Sequence, residues 1–518
     1  MRILVSTSDK TGLIEFLKPL QDQDFNESFE LVSTGGTYEY LKKNNFNVTE
    51  VSEVTGFPEV LDGRVKTLHP SIHMGLLADK SNHQHRAQLK EHNVLAFDMV
   101  IGNLYPFEKT ATKADSTFEE LIENIDIGGP SFLRASAKNF KSVIVLSSPN
   151  DYSWVQEKLL NKSMTVEDNK KLAIKVFSLT AYYDSLIVDR LTMDSLEVKS
   201  GLEYLNIPLK KKMQLRYGEN SQQEAFWYFN PLAKANFNEV EIHQGKELSY
   251  NNLLDLDAAV NLVKLFETSA CVAVKHNNPC GAALGEDVCR AAKKTIEADP
   301  KSIFGGIIAF NKEVDIKTCE LFKDIFLECI VAPSFSSEAL NYLIAKKNLR
   351  VLSFKSLNLV NTKKMNFKSI SGGVLLQQED SFNQEDWTFI GEKPNPLLFA
   401  DMVFGEKVAA ALKSNAIAIV AGGQTVGLGM GQVNRVDAVK QAAERMLEYK
   451  KRFDFDSSKA VLISDAFFPF ADSIELIAQY GIKWILQPGG SVQDEKVIEA
   501  ATSKNINMVI SKRRHFKH

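Results

Sequence analysis

Arg2-Ile-Leu-Val-Ser6, followed by Thr11-Gly-Leu-Ile-Glu-Phe-Leu-Lys-Pro-Leu20, Glu30-Leu-Val-Ser33 and Thr34-Gly-Gly-Thr37, is the stretch that decides the fold class. Ile3–Ser6 is an apolar run of strand length. Thr11–Leu20 puts Leu13, Phe16, Leu17 and Leu20 on one side of a helix. Glu30–Ser33 is a second strand run, and the Gly pair turns it into a second helix. Asp98–Leu104 and Ser142–Ser147 are further apolar strand runs. Strands alternating with helices predict an α/β fold with a parallel sheet covered by helices. Ligands in such sheets sit at the carboxyl ends of the strands.

The alternation stops and restarts along the chain. Between Pro149 and Gly201 there is neither Gly nor Pro, and Leu172, Val176, Leu179, Tyr183 and Leu186 recur at helical spacing. That stripe is too short for a coiled coil and reads as core or interdomain packing. Gly201 to Pro208 reads as a domain boundary. Beyond it, Cys271–Lys275, Gly306–Phe310, Cys329–Ala332 and Arg350–Phe354 are strand-like, with helices such as Leu254–Phe266 and Asp287–Ala298 between them. A further series starts at Gly372-Gly-Val-Leu-Leu376 and continues through Ala416–Ala421, Thr425–Leu428, Ala460–Ser464, Trp484–Leu486 and Met508–Ile510, with a helix at Val436–Phe453. The expected organisation is three lobes, 1–200, 201–365 and 366–518, with no repeat visible at the residue level. The length of 518 residues agrees, at roughly 150 residues per domain.

The composition excludes several classes. With 44% hydrophobic and 24% charged residues, the chain is neither disordered nor fibrous. A net charge of −4 argues against nucleic acid or an acidic membrane as partner. No apolar run reaches the roughly 18 residues of a membrane span. The N-terminus lacks the pattern of a signal peptide, so a cytoplasmic protein is expected. Five cysteines, with no CxxC, read as reduced thiols. Pro279-Cys280 fails to complete a PCxxC zinc signature because position 283 is Ala283, and no metal is expected. The basic run Lys512, Arg513, Arg514, Lys517 reads as a solvated tail.

Several motifs carry candidate chemistry. Ser33-Thr-Gly-Gly-Thr37 is either a phosphate cradle, with N–H groups open to an anion, or a tight turn capped by Thr37. Gly427-Leu-Gly-Met-Gly431 lacks dinucleotide-binding spacing and reads as a turn between strands. Asp62-Gly-Arg-Val-Lys-Thr-Leu-His-Pro70 aims Arg64 and Lys66 to one side if extended. Asp126-Ile-Gly-Gly-Pro-Ser131 is followed by Arg134 and Lys138 on one helix face. Each is a surface ion-pair network or part of an anion site with lysines for proton transfer. Lys275-His-Asn-Asn-Pro-Cys-Gly281 ends a strand with two groups suited to acid–base work, unless both are merely solvated. Asp465-Ala-Phe-Phe-Pro-Phe470 offers core, or a slot for a flat heterocycle.

These segments, in this order and over essentially the whole chain, resemble the bifunctional phosphoribosylaminoimidazolecarboxamide formyltransferase / IMP cyclohydrolase family. The resemblance rests on SDKTG (8–12), STGGT (33–37), DGRVKTLHP (62–70), NLYPF (103–107), DIGGP (126–130) and RASAKN (134–139). It continues in RYGEN (216–220), KHNNPCG (275–281), FGG (304–306), KSNAI (413–417), SDAFFPF (464–470), QPGGS (487–491) and RHFKH (514–518). The resemblance implies formyl transfer from 10-formyltetrahydrofolate to 5-aminoimidazole-4-carboxamide ribonucleotide, followed by cyclisation to IMP. It implies a methylglyoxal-synthase-like N-terminal domain and two cytidine-deaminase-like lobes without the metal.

The resemblance also assigns residues. Lys66, Tyr105, Asp126 and Lys138 match catalytic positions of the cyclohydrolase. Ser8, Asp9, Lys10, Ser33, Thr34, Gly35, Gly36, Thr37, Arg64, Val65, Thr67, Gly102, Asn103 and Ile127 match nucleotide-binding ones. In the transferase, Lys275 and His276 match the catalytic pair. Arg216, Tyr217, Gly305, Asn415, Arg435 and Arg514 match substrate positions, and Val436, Phe467, Pro469, Phe470, Gly489 and Gly490 the folate side. Transferase sites shared across a homodimer are implied. One departure is that the family's RYGENPHQ reads here Arg216-Tyr-Gly-Glu-Asn-Ser-Gln-Gln223, with Gln222 where the family has His. Gln cannot carry a proton at neutral pH, so a slower transferase is expected.

Overall fold

Five short strands, β1 (Arg2–Ser6), β2 (Glu30–Ser33), β3 (Val48–Glu50), β4 (Met99–Gly102) and β5 (Ile144–Leu146), build the first sheet. Their order is β3-β2-β1-β4-β5 and every pair is parallel. Ile3, Leu4, Val5, Val100 and Ile101 are fully buried, as expected of a parallel sheet covered on both faces. The helix Leu13–Asp22 buries Leu13, Phe16, Leu17 and Leu20, the side the spacing predicts. β4 and β5 are shorter than their apolar runs because the flanking polar residues are used elsewhere. Asp98 accepts the Arg2 N–H at 2.7 Å, and Asn103 turns back to the loop after β1.

The long helix spans Val166–Thr192 and opens on a capping box between Thr165 and Asp168. It packs against the helix Gly128–Lys138 and buries Leu172, Val176, Thr180, Tyr183 and Leu186, with Leu172 and Val176 in the core of the first sheet and Tyr183 and Leu186 beside Phe107 and Leu121. Thr180 is buried where Leu179 was expected, and Leu179 is only half-buried.

The structure, a computed structural model, describes residues 1–22, 29–61, 65–113, 115–193, 201–233, 237–358 and 365–518. It divides into two compact units, residues 1–210 with 230–232, and residues 211–229 with 233–518. In the second unit, β6 (Lys210–Leu215) and β7 (Ala225–Phe229) form a ribbon. Next come β8 (Glu241–Gln244), β9 (Ala270–Lys275), β10 (Asn278–Leu284), β11 (Ile307–Phe310), β12 (Cys329–Ala332) and β13 (Arg350–Ser353). β14 (Met365–Ile370) and β15 (Gly373–Gln378) form a second ribbon. The chain then continues through β16 (Thr388–Ile390), β17 (Ile417–Ala421), β18 (Gln424–Gly429), β19 (Val461–Ser464), β20 (Trp484–Gln487) and β21 (Asn507–Ile510).

Among the described residues, twelve of these strands make one mixed sheet, ordered β16-β21-β20-β19-β17-β18-β10-β9-β11-β12-β13-β8. The order is a mirrored repeat. Each half is a hairpin (β9–β10 or β17–β18), a parallel trio (β11-β12-β13 or β19-β20-β21) and an antiparallel edge strand. The halves meet where β10 pairs with β18.

Two sequence readings need correction. Gly372–Leu376 does not open the second α/β series. It belongs to the exposed ribbon β14–β15, whose turn uses Gly372 at φ +77, and the series begins at β16. Gly427 and Gly429 do not form a turn. They lie inside β18, where a Cβ would run into the backbone of Ala442 and Ala438 on the helix Arg435–Arg452. Glycine there lets helix and strand approach closely.

Candidate active sites

The first site lies at the carboxyl ends of β1, β2 and β4. After β1, the Ser8 and Asp9 N–H groups donate to Asn103 Oδ1 at 2.7 and 2.9 Å, and Asn103 Nδ2 returns a bond to Asp9 O. The loops after β1 and β4 are thus tied at the point where the strand order reverses. Thr37 accepts from Thr7 N–H and donates to Thr7 O, while Ser33 Oγ donates to Val5 O at 2.7 Å. Thr37 therefore ties its helix to the loop after β1 rather than capping it, and Thr34, at the N-cap, makes no side-chain capping bond. Gly35, at φ +45, starts the helix Gly35–Lys43 and faces Lys66. A Cβ there would sit 3.4 Å from Lys66 Nζ. Lys10 lies 6.0 Å from the centre of the Tyr40 ring and donates to Thr7 O.

Asp126 closes the site. Its carboxylate accepts Gly129 N–H at 2.7 Å and Tyr105 N–H at 3.2 Å. Burial raises its pKa above the ordinary carboxylate value, while these bonds and the Lys66 charge oppose the rise. Lys66 is also 3.5 Å from Glu59. Thr67 is buried, with its hydroxyl 3.0 Å from where a Gly128 Cβ would be. Val65 bridges to Val60. Gly102 ends β4 against the Phe132 ring, and Ile127 and Tyr105 are exposed.

Lys66, Tyr105, Asp126 and the Ser33–Thr37 turn are thus brought together, but Lys138 is not gathered with them. It is exposed at the far end of the helix Gly128–Lys138, about 15 Å of helix from Gly128. Arg64, with Asp62 and Gly63, lies outside the described residues. Sequence reading missed Tyr183, which it placed only in an apolar stripe. Its hydroxyl accepts Asp126 N–H at 2.8 Å and donates to Asn124 O, and burial pushes the phenol up to about 12.

The second site is built at the β9–β10 turn, in the middle of the twelve-stranded sheet. β9 and β10 are joined by His276-Asn277, both in the left-handed region at φ +54 and +62, as a two-residue hairpin of this twist requires. Asp255, on the helix Tyr250–Val263, accepts Asn277 N–H at 2.6 Å and a backbone bond from His276. Burial raises the Asp255 carboxyl, against those bonds and the His276 charge. Lys275 Nζ donates to Phe304 O at 2.7 Å, beside Gly305 at φ +74. Nothing in the sequence marked Asp255, which stands some twenty residues before the turn it holds.

Across the join, Asn278 Oδ1 accepts Lys413 N–H at 3.0 Å. Arg435 is buried, pairs with Asp465, and donates from Nη2 to Asn415 Oδ1 at 2.8 Å. Its Nε is buried without a protein acceptor. Of the aromatic run, Phe468 is core, Phe467 and Pro469 are half-buried and Phe470 is exposed. Gly489 and Gly490, at φ +70 and +95, turn the chain after β20, and Asp494 accepts Gly490 N–H at 2.6 Å. Val436 follows Arg435 in the first turn of its helix, and Arg514 is exposed after β21.

Arg216 and Tyr217 lie on the connection between β6 and β7 with Gln222. Among the described residues, no hydrogen bond or ion pair joins that connection to Lys275 or His276. A cavity of about 530 Å³ adjoins Lys275, His276 and Asn278 and reaches Arg445 and Arg452. Burial pushes the Cys271, Cys280, Cys319 and Cys329 thiols up to about 12, so they are poor nucleophiles. Among the described residues no group of three or more His, Cys, Asp or Glu could hold a metal, and no helix is long and apolar enough to cross a membrane.

Two family models match the chain. An MGS-like domain model matches residues 12–131, within the parallel-sheet unit, and an AICARFT/IMPCHase bienzyme model matches residues 136–445. The chain is 46% identical over 523 residues to the bifunctional purine biosynthesis protein PurH of Caldicellulosiruptor saccharolyticus, covering 100% of this chain and 99% of that one. It is 48% identical over 520 residues to that of Fusobacterium nucleatum and 46% over 522 to that of Bacillus subtilis, with the same coverage. With full-length relatives at this identity, the chain belongs to the AICARFT/IMPCHase bienzyme family.

Proposed function

We propose that each unit carries one of the two activities joined in the family name. The second unit transfers a formyl group from 10-formyltetrahydrofolate to the 5-amino group of 5-aminoimidazole-4-carboxamide ribonucleotide. The first closes the formylated product to IMP with loss of water. The observation that carries this reading is the separation of the two constellations: Lys66, Tyr105 and Asp126 lie in one unit, and Lys275 and His276 in the other.

In the first unit, the N–H groups at the start of the helix Gly35–Lys43, with Lys10, suit the nucleotide phosphate. Asp126, its carboxyl raised by burial, orients the carboxamide and takes its proton as the nitrogen attacks the formyl carbon. Lys66 and the N–H groups near Gly128 stabilise the oxyanion before water leaves. The reaction is intramolecular, so positioning supplies much of the rate. Lys138 would act only through a rearrangement or a second copy of the chain.

In the second unit, His276 takes the proton of the attacking amine. Lys275 stabilises the charge developing on the formyl oxygen or protonates the folate nitrogen as its bond to the formyl carbon breaks. Gly305, Asn415, Arg435 and Arg514 bind the ribonucleotide, Arg435 through its unpartnered Nε and through Asn415. Phe467, Pro469 and Phe470 form an apolar surface for the folate ring, with Val436, Gly489 and Gly490 beside it. Arg216 and Tyr217 join this site from a homodimer partner. The functional division is 1–200, 201–365 and 366–518, and the enzyme works in the cytoplasm. The test is to supply the aminoimidazole ribonucleotide with and without formylfolate, and separately the formylated intermediate. IMP from both routes, with the first dependent on formylfolate, is expected. IMP from the intermediate alone would overturn the two-activity reading.

A further inference from the structure

We propose that His515 is a positioning residue of the formyl-transfer site. It clamps segment 511–518 so that Arg514 and the Asp465–Arg435–Asn415 network keep their places beside β17 and β19. The inference rests on the assignment of formyl transfer to the second unit. The segment has no regular secondary structure, so its place depends on bonds to other parts of the unit. Here Ser511, Lys512 and His515 N–H groups donate to Gln487 O, Pro488 O and Asp465 O at 2.9, 3.1 and 2.9 Å, and Ser414 N–H donates to Lys517 O at 2.9 Å.

His515 is the side-chain anchor. It is 3% exposed, while Arg514 and Phe516 on either side of it are exposed. Its Nδ1 lies 2.7 Å from Asp380 Oδ2 and its Nε2 3.4 Å from Glu406 Oε1. Gln384 donates to the other Glu406 oxygen at 3.1 Å, and Phe382 stacks on the ring at 5.1 Å. A ring with a carboxylate at each nitrogen donates from both, which only the imidazolium does. Burial pulls the imidazole down. Its bonds to Asp380 and Glu406 and their charges outweigh that and hold it at about 9. Arg513 acts on Asp380 and Lys407 on Glu406, so these cations face the cluster. The same residue's N–H holds Asp465, which pairs with Arg435 and accepts Ser414 Oγ–H at 2.5 Å.

The test uses the full-length protein and its two assays. In His515→Gln the KM for the aminoimidazole ribonucleotide should rise about tenfold, the effect of one charged hydrogen bond. The KM for formylfolate and cyclisation of supplied intermediate should not move. The folded imidazolium is present below its raised pKa and lost as pH rises through about 9. The wild-type ribonucleotide KM should therefore rise across that range, and His515→Gln should lack the rise. Asp380→Asn, which keeps the ring, should give the same selective rise at smaller size. An unchanged ribonucleotide KM in both variants, or an equal fall of transfer and cyclisation, overturns the clamp. Undiminished transfer in Arg514→Ala overturns the site assignment instead.

Discussion

Two hairpins stand side by side in the middle of the large sheet, β9–β10 and β17–β18, and they are built alike. Each follows a helix that offers an aspartate to its turn. Asp255 accepts Asn277 N–H, and Asp401 accepts Gly422 and Gly423 N–H at 2.8 and 2.6 Å. The two aspartates stand at the same distance from their helix N-caps, Ser249 and Asn395. Both turns use two residues at positive φ, and each second strand carries a bulge and a glycine pressed against the next helix, Gly281 or Gly427. The difference is in the turn residues. One hairpin bears Lys275-His276-Asn277, the other Ala421-Gly422-Gly423. Left-handed backbone is free for glycine and strained by roughly 1–2 kcal/mol for other residues. The first half thus accepts strain where a side chain is to act, and the second does not.

The largest expected effect on this contrast comes from His276→Ala, which removes a proton acceptor. Formyl transfer should fall by roughly 10²–10⁴-fold. A fall of less than tenfold would make the two turns equivalent in function as well as in shape. Asp255→Ala and Asp401→Ala come next. Each leaves turn N–H groups without an acceptor and should lower stability by about 1–3 kcal/mol in denaturant unfolding. Only Asp255→Ala should also lower the kcat of formyl transfer, because only its turn carries chemistry. Equal kcat in the two variants would reduce both aspartates to structural caps. Gly427→Ala should destabilise by about 1–3 kcal/mol through overpacking against Ala442, again with little effect on kcat. The smallest change is Gln222→His, expected to raise formyl transfer a few-fold and leave cyclisation alone. No rise would show that the departure from the family pattern is neutral in this chain.

The first sheet was legible in the sequence because Arg2–Ser6, Glu30–Ser33 and their neighbours are buried on both faces and so are written as apolar runs between helices. Its site was legible in part. The Gly35-Gly36 turn, Lys66, Tyr105 and Asp126 meet, whereas spacing alone could not show that Lys138 lies a helix length from them. The repeat in the second unit was not legible. It is held by hydrogen bonds that Asp255 and Asp401 accept from distant N–H groups and by glycines under helices, and neither leaves a periodic pattern. Tyr183 escaped for the opposite reason: its ring belongs to the apolar stripe, and only its hydroxyl serves Asp126.

The separation of the two chemistries is tested most directly by assaying Lys66→Ala and Lys275→Ala in parallel for both steps. Reciprocal losses are expected. Lys275→Ala should fail to formylate the ribonucleotide yet cyclise the supplied intermediate, and Lys66→Ala should formylate and accumulate the intermediate. Equal loss of both steps in either variant would contradict it.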